Sequence, residues 1–385
     1  MRRSAFITST RRLCIALSAV ALAACSSMPS FLGGGSEKPK PAELTQNPAT
    51  LGVRQVWTAR IGTVDMPLAV NVNGNSFTVA SSDGSVAAFD AASGRELWRA
   101  SAGAPIAAGV GSDGKVSAVV TRDNDLVAFE GGNQIWRQRL AAGAYTAPFV
   151  AGGRVFLLTA DRAVSAFDGQ TGRKLWSQSR PGEPLVLRQP GVMLAVGDTL
   201  VVGLSGRLAG LNPSNGLTRW EAPIATPRGI NDVERLVDLV GKVSRTGDNV
   251  CARAFQTSVG CVDTSRGSVI WSKPASGAEG VDGDGTLVFG SEADGKLAAW
   301  KRDNGDRAWT SDLLLHRGLT APLALGRSVV VGDSFGYVHM LSREDGKLLN
   351  RLATDSSAIA AAPVVAANTL VVVTRNGGVY GFVPQ

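Results

Sequence analysis

Seven of the eight tryptophans in this 385-residue chain recur at one register, and that spacing narrows the folds open to it. Ala88-Phe89-Asp90-x3-Gly94-x3-Trp98 returns as Ala166-Phe167-Asp168-x3-Gly172-x3-Trp176. Looser copies lead to Trp136, Trp220, Trp271 and Trp309, and the copy starting at Leu341 has Asn350 in the tryptophan place. Trp57 precedes the first copy, while the last stops at Tyr380-Gly381-Phe382, short of its tryptophan. The slots at 57, 98, 136, 176, 220, 271, 309 and 350 are thus 41, 38, 40, 44, 51, 38 and 41 residues apart. A repeat of roughly 20–50 residues marks an array whose units bury their apolar faces against one another.

Each interval holds short alternating apolar runs, such as Ser328–Val331 and Tyr337–Leu341, divided by Gly, Asp and Asn turns. That pattern reads as four short strands per repeat. With 46 glycines and only 18% charged residues, a helical bundle is excluded. Eight slots predict an all-β, eight-bladed propeller of four-stranded antiparallel blades. The strand at Trp57 is expected to complete the blade formed by the C-terminus, closing the ring and leaving no open array end.

Residues 1–24 read as a signal peptide, with a basic start, an apolar stretch too short to span a bilayer, and Leu22-Ala23-Ala24 before Cys25. This ending resembles the bacterial lipobox, which implies that the Cys25 thiol is lipidated. The alternative is an ordinary signal with an incidental cysteine. Residues 25–50, rich in Pro, Gly and Ser, read as a flexible lipidated tether, leaving 51–385 for the propeller. The net charge falls from +7 to +3 once Arg2, Arg3, Arg11 and Arg12 leave with the signal. So small a surplus carries no nucleic-acid footprint.

With Cys14 in the signal and Cys25 at the lipid site, Cys251 and Cys261 remain. In an oxidising compartment two such residues pair, and a turn centred on residue 256 sets them opposite each other. Two buried free thiols are the alternative. No metal site or catalytic set is read from the two histidines, His316 and His339. Gly109–Gly114 fits GxGxxG, but Val116–Val120 behind it is strand-like where a phosphate loop needs a helix.

The Ala-x-Asp-x3-Gly-x3-Trp copies resemble the docking motif of the pyrroloquinoline-quinone-type propellers. With the lipobox, the tether and the size of the head, the chain from Cys25 onward is similar to the BamB family, the propeller lipoproteins of the outer-membrane β-barrel assembly (BAM) machinery. The resemblance implies a non-enzymatic scaffold without a cofactor, lipid-anchored at the periplasmic face of the outer membrane. It also implies binding to the periplasmic POTRA domains of BamA and assistance to unfolded outer-membrane proteins. The competing expectation is a quinoprotein dehydrogenase on the same propeller. Asp90, Asp168, Asp263, Asp282 and Asp294 are the acids it would draw on, and their register suggests that they shape turns.

The two longest intervals, 44 and 51 residues, are neighbours. The surplus in the first is Pro184-Leu185-Val186-Leu187-Arg188, and in the second Ile224 to Val240. Both follow the tryptophan strand, so both fall in connections between blades on one face of the disc. Loops on a rigid scaffold are where binding residues concentrate. If extended, the first stretch points Leu185 and Leu187 the same way, beside Arg188; an ordinary buried strand is the alternative. The resemblance implies that Leu185, Leu187 and Arg188 contact the partner, and that Asp238 is the first member of an acidic pair. Val240 stands where the second acid is expected.

Overall fold

The computed structural model describes residues 39–179 and 185–385; Cys25 and the signal peptide lie outside them. The described residues form 32 strands in eight four-stranded antiparallel sheets. Blades 1 to 7 run in sequence: Asn71–Ser101, Gly111–Arg139, Phe149–Gln178, Met193–Pro223, Leu239–Pro274, Val281–Ser311 and Leu323–Ala353. Blade 8 takes three strands from Val364–Pro384 and its outer strand from Val53–Arg60, as the isolated Trp57 predicts.

Pairing in the outer half of each blade explains the repeat. Each motif tryptophan lies opposite a small residue: Trp57 opposite Gly381, Trp98 opposite Ala88, Trp136 opposite Ala128, Trp176 opposite Ala166, Trp220 opposite Gly210, Trp271 opposite Cys261, and Trp309 opposite Ala299. A bulge follows that pair in each, re-aiming the strand where the indole leaves the sheet. The indole then reaches the next blade. The Nε1–H groups of Trp57, Trp136, Trp176, Trp271 and Trp309 donate to carbonyls in the next blade's last turn at 2.8–3.0 Å.

The motif glycine belongs to that contact. Gly94, Gly172, Gly216, Gly305 and Gly346 have φ of 69–75°, and a Cβ there would stand 2.5–2.8 Å from the preceding blade's indole. Only glycine combines that backbone with that approach. The motif aspartate closes the same turn. Asp90, Asp168 and Asp263 accept bonds from amides two or three residues on and from the hydroxyls of Ser93, Thr171 and Ser265. Those hydroxyls hold the three carboxyls below the usual range.

Asp282 is an exception to the turn reading. It lies on the inner strand Val281–Gly283, takes Lys242 Nζ at 2.8 Å and accepts the Ala324 amide at 3.0 Å, joining blades 5, 6 and 7 around the axis. Asp294 does shape a turn, accepting the Lys296 amide and pairing with its ammonium at 2.6 Å. Gly109–Gly114 ends in a hairpin turn, where Asp113 accepts the amides of Lys115 and Val116 ahead of the strand Val116–Val120.

Blade 7 departs from the repeat for a structural reason. Asn350 lies opposite the bulky Met340, a small-for-large exchange within one pair. Its amide donates to Leu51 O at 2.7 Å, and Asn47 Nδ2 donates to its Oδ1 at 3.0 Å. The partner that the other tryptophans find in a turn is here the chain entering blade 8. Residues 41–50, read from sequence as the end of the tether, are bonded along the outer strand Leu348–Ala353. Thr50 N donates to Leu349 O at 2.9 Å and Arg351 Nη1 to Thr45 O at 3.0 Å. Composition alone marked this stretch as free, because its bonds go to residues some 300 positions away.

The disc has two faces. The loop face carries the connections between blades and the middle turn of each blade; the opposite face carries the first and last turns. Phe255 N in the middle turn of blade 5 bonds Asp238 O in the preceding connection at 3.0 Å, which tethers the two sets of loops together. Cys251 and Cys261 face each other in that hairpin and are joined by a disulfide.

Candidate functional site

The described part of the first long connection, 185–192, and the second, 224–238, lie side by side on the loop face, and one residue joins them. Arg162 sits in the middle turn of blade 3 with φ of 62°, in the slot held by Gly84, Gly295, Gly336 and Gly377 in other blades. It is 8% exposed. Its Nη1 donates to Asp238 Oδ1 at 2.8 Å and its Nη2 to Leu185 O at 2.7 Å. The other carboxylate oxygen of Asp238 accepts the Leu187 amide at 3.1 Å. A guanidinium fork and a carboxylate thus clasp both insertions, the geometry for which a planar, multiply donating cation is suited.

Placement of the sequence-derived residues follows from this clasp. Leu185 is 41% exposed, held at its carbonyl with its side chain outward. Leu187 is half-buried and lines a small cavity of about 50 Å³ with Tyr145, Thr146, Leu158 and Arg162, so the two leucines do not form one exposed pair. Arg188 is exposed, its guanidinium 5.3 Å from the Tyr145 ring centre. Asp238 is turned inward, and its side chain retains 16% exposure. Val240, where a second acid is expected, is a core residue at 2% exposure.

Two features escaped the sequence reading. Arg162 is one; its signal was a long cationic residue in a turn slot that elsewhere favours glycine, a strained position of the kind that gathers at functional sites. The other is the display of two apolar side chains at the tip of the second insertion. Asn231 Oδ1 accepts the Glu234 amide and Glu234 Oε2 accepts the Ile230 amide, both at 2.9 Å, forming a self-capped turn. That turn displays Ile230 at 99% and Val233 at 71% exposure. Large apolar groups fixed this far into solvent are candidates for a partner's pocket.

A larger cavity of about 570 Å³ occupies the axis, lined by residues of the inner strands, such as Phe149 and Lys242, and of the connections leading into them, such as Met66, Leu68 and Glu279. Burial pushes the Glu279 carboxyl up, opposed by the charge of Arg253. Among the described residues no three His, Cys, Asp or Glu side chains gather as a metal-ligand set.

The family model described as "Outer membrane protein assembly factor BamB" matches residues 82–311. The chain belongs to the BamB family. It is 40% identical to BamB of Burkholderia pseudomallei over 352 residues, covering 90% of this chain and 92% of that one. With BamB of Bordetella pertussis the identity is 39% over 362 residues, 93% of each chain. The crystal structure of BamB from Moraxella catarrhalis aligns at a TM-score of 0.78 with 24% identity, over 86% of this chain and 99% of that one. A quinohemoprotein alcohol dehydrogenase from Pseudomonas putida shares the fold alone, at a TM-score of 0.70 and 13% identity over 88% of this chain and 77% of that one.

Proposed function

We propose that this chain is a non-catalytic subunit of the outer-membrane protein assembly complex, which docks the BamA POTRA domains through the loop face and serves the folding of outer-membrane proteins. The observation that carries this reading is the clasp of Arg162 on Asp238 and Leu185, which presents Leu185 and Arg188 outward from a pre-ordered segment. Pre-ordering removes part of the entropy cost that a flexible loop loses on binding. In this reading Leu185 is the apolar anchor, Arg188 the polar contact, and Leu187 and Asp238 support them from behind. Cys25 carries the lipid that holds the head at the periplasmic face of the outer membrane.

Titration of the lipid-free chain from Ser26 onward with the BamA periplasmic domains tests this. Arg188→Glu reverses an exposed charge that stacks near the Tyr145 ring, and is expected to weaken binding by about 2–5 kcal/mol if the guanidinium meets an acid in the complex. Equal affinity of the two proteins would remove Arg188 from the site. Absence of binding by either would remove the POTRA assignment.

A further inference from the structure

We infer that residues 41–50 are a strap that carries the chain across blade 7 to the loop face, so that the anchored segment departs from the head on the side of the docking loops. The inference rests on the reading of Cys25 as lipidated.

The strap is bonded along its whole length. At the loop face, Ala42 N donates to Leu315 O at 2.8 Å and Ala42 O accepts Arg317 Nη1 at 3.0 Å. Arg317 is itself fixed: its Nε donates to the fully buried Asp333 at 2.7 Å, and its guanidinium lies 4.7 Å from the Phe335 ring centre. Midway, Leu44 packs on the core shared by blades 6 and 7, and Asn47 Nδ2 bonds Arg351 O at 3.1 Å. At the opposite face, Arg327 Nη2 in the first turn of blade 7 reaches Thr50 O at 3.1 Å, and Gln385 N bonds Gly52 O at 3.0 Å.

The strap therefore runs antiparallel to the outer strand Leu348–Ala353 and crosses the disc from face to face. A chain entering blade 8 without it would leave from Gly52, on the side away from the docking loops. With it, the last fixed residue is Ala42, on their side. From Cys25 to Ala42 the chain can reach at most about 60 Å, so that edge of the loop face stays within that distance of the bilayer.

The test uses the full-length lipidated protein in vesicles with an energy acceptor on the lipid headgroups. A donor is placed by click chemistry at Asp232 on the loop face or at Asn133 on the opposite face. Transfer from Asp232 is expected to exceed that from Asn133 at least twofold. Leu44→Ser with Asn47→Gly, and separately Thr45→Pro, free the strap and should invert that order, because the pivot moves to Gly52. Loss of hydrogen-exchange protection at Ala42 and Thr50, with an unchanged unfolding temperature, identifies a freed strap on a folded head. Equal transfer from the two sites in the wild type, or an unchanged order once the strap is free, would overturn the inference. Failure of the wild type to float with the vesicles would instead overturn the lipidation reading, and the inference with it.

Discussion

Arg162 shows how one side chain can decide whether a surface is ordered. Its guanidinium and the Asp238 carboxylate are both largely withdrawn from water, at 10% and 16% side-chain exposure. Removing one partner of such a pair costs about 3–5 kcal/mol, because the other is left uncompensated. That loss is expected locally: Arg162→Met should release the Leu187 amide to fast hydrogen exchange while amides in the blade cores stay protected. Protection retained at Leu187 would show that the segment is held by something else. A second prediction at this scale concerns pH. Burial depresses the His339 pKa, against the opposing pull of Asp333. The unfolded chain then binds a proton near pH 6.5 that the folded chain refuses, so stability falls as pH drops below that value, by up to about 1.4 kcal/mol per unit. His339→Gln should flatten that slope in urea-unfolding series between pH 5 and 7; an unaltered slope would assign it to other groups.

Single blades show what made the repeat legible and what hid its exceptions. The motif works because Trp, the small residue opposite it and the glycine of the next blade form one contact, and each leaves a mark at fixed spacing. Trp176→Ala removes a 9%-exposed indole and should cost about 3–5 kcal/mol; Gly305→Ala, strained in φ and abutting Trp271, should cost about 2–4 kcal/mol. Blade 7 inverts the rule, so Asn350→Trp should destabilise by about 1–3 kcal/mol through overpacking against Met340. Adding Met340→Ala should recover most of that loss, and unfolding of the double variant at the single variant's midpoint would refute the size exchange. Asp282 and Arg162 were misread or missed for one reason: their partners come from other blades, and repeat spacing records only contacts that recur.

For the molecule as a whole, ring closure was legible from two incomplete repeats that complete each other, a lone Trp57 strand at one end and a copy stopping at Tyr380-Gly381-Phe382 at the other. The docking of residues 41–50 was not, since Pro-rich sequence with no periodicity gives no sign of a surface that holds it. The disulfide is expected to add about 2–3 kcal/mol by restricting the unfolded chain, and Cys251→Ser with Cys261→Ser in calorimetry measures it. In the proposed function the two insertions act as one docking unit through Arg162. A double-mutant cycle of Arg162→Met and Leu185→Ser, titrated with the BamA periplasmic domains, tests it most directly. If Arg162 acts by positioning Leu185, each substitution weakens binding tenfold or more and the pair together is no weaker than the worse single. Wild-type affinity for Arg162→Met, or losses that simply multiply, would contradict it.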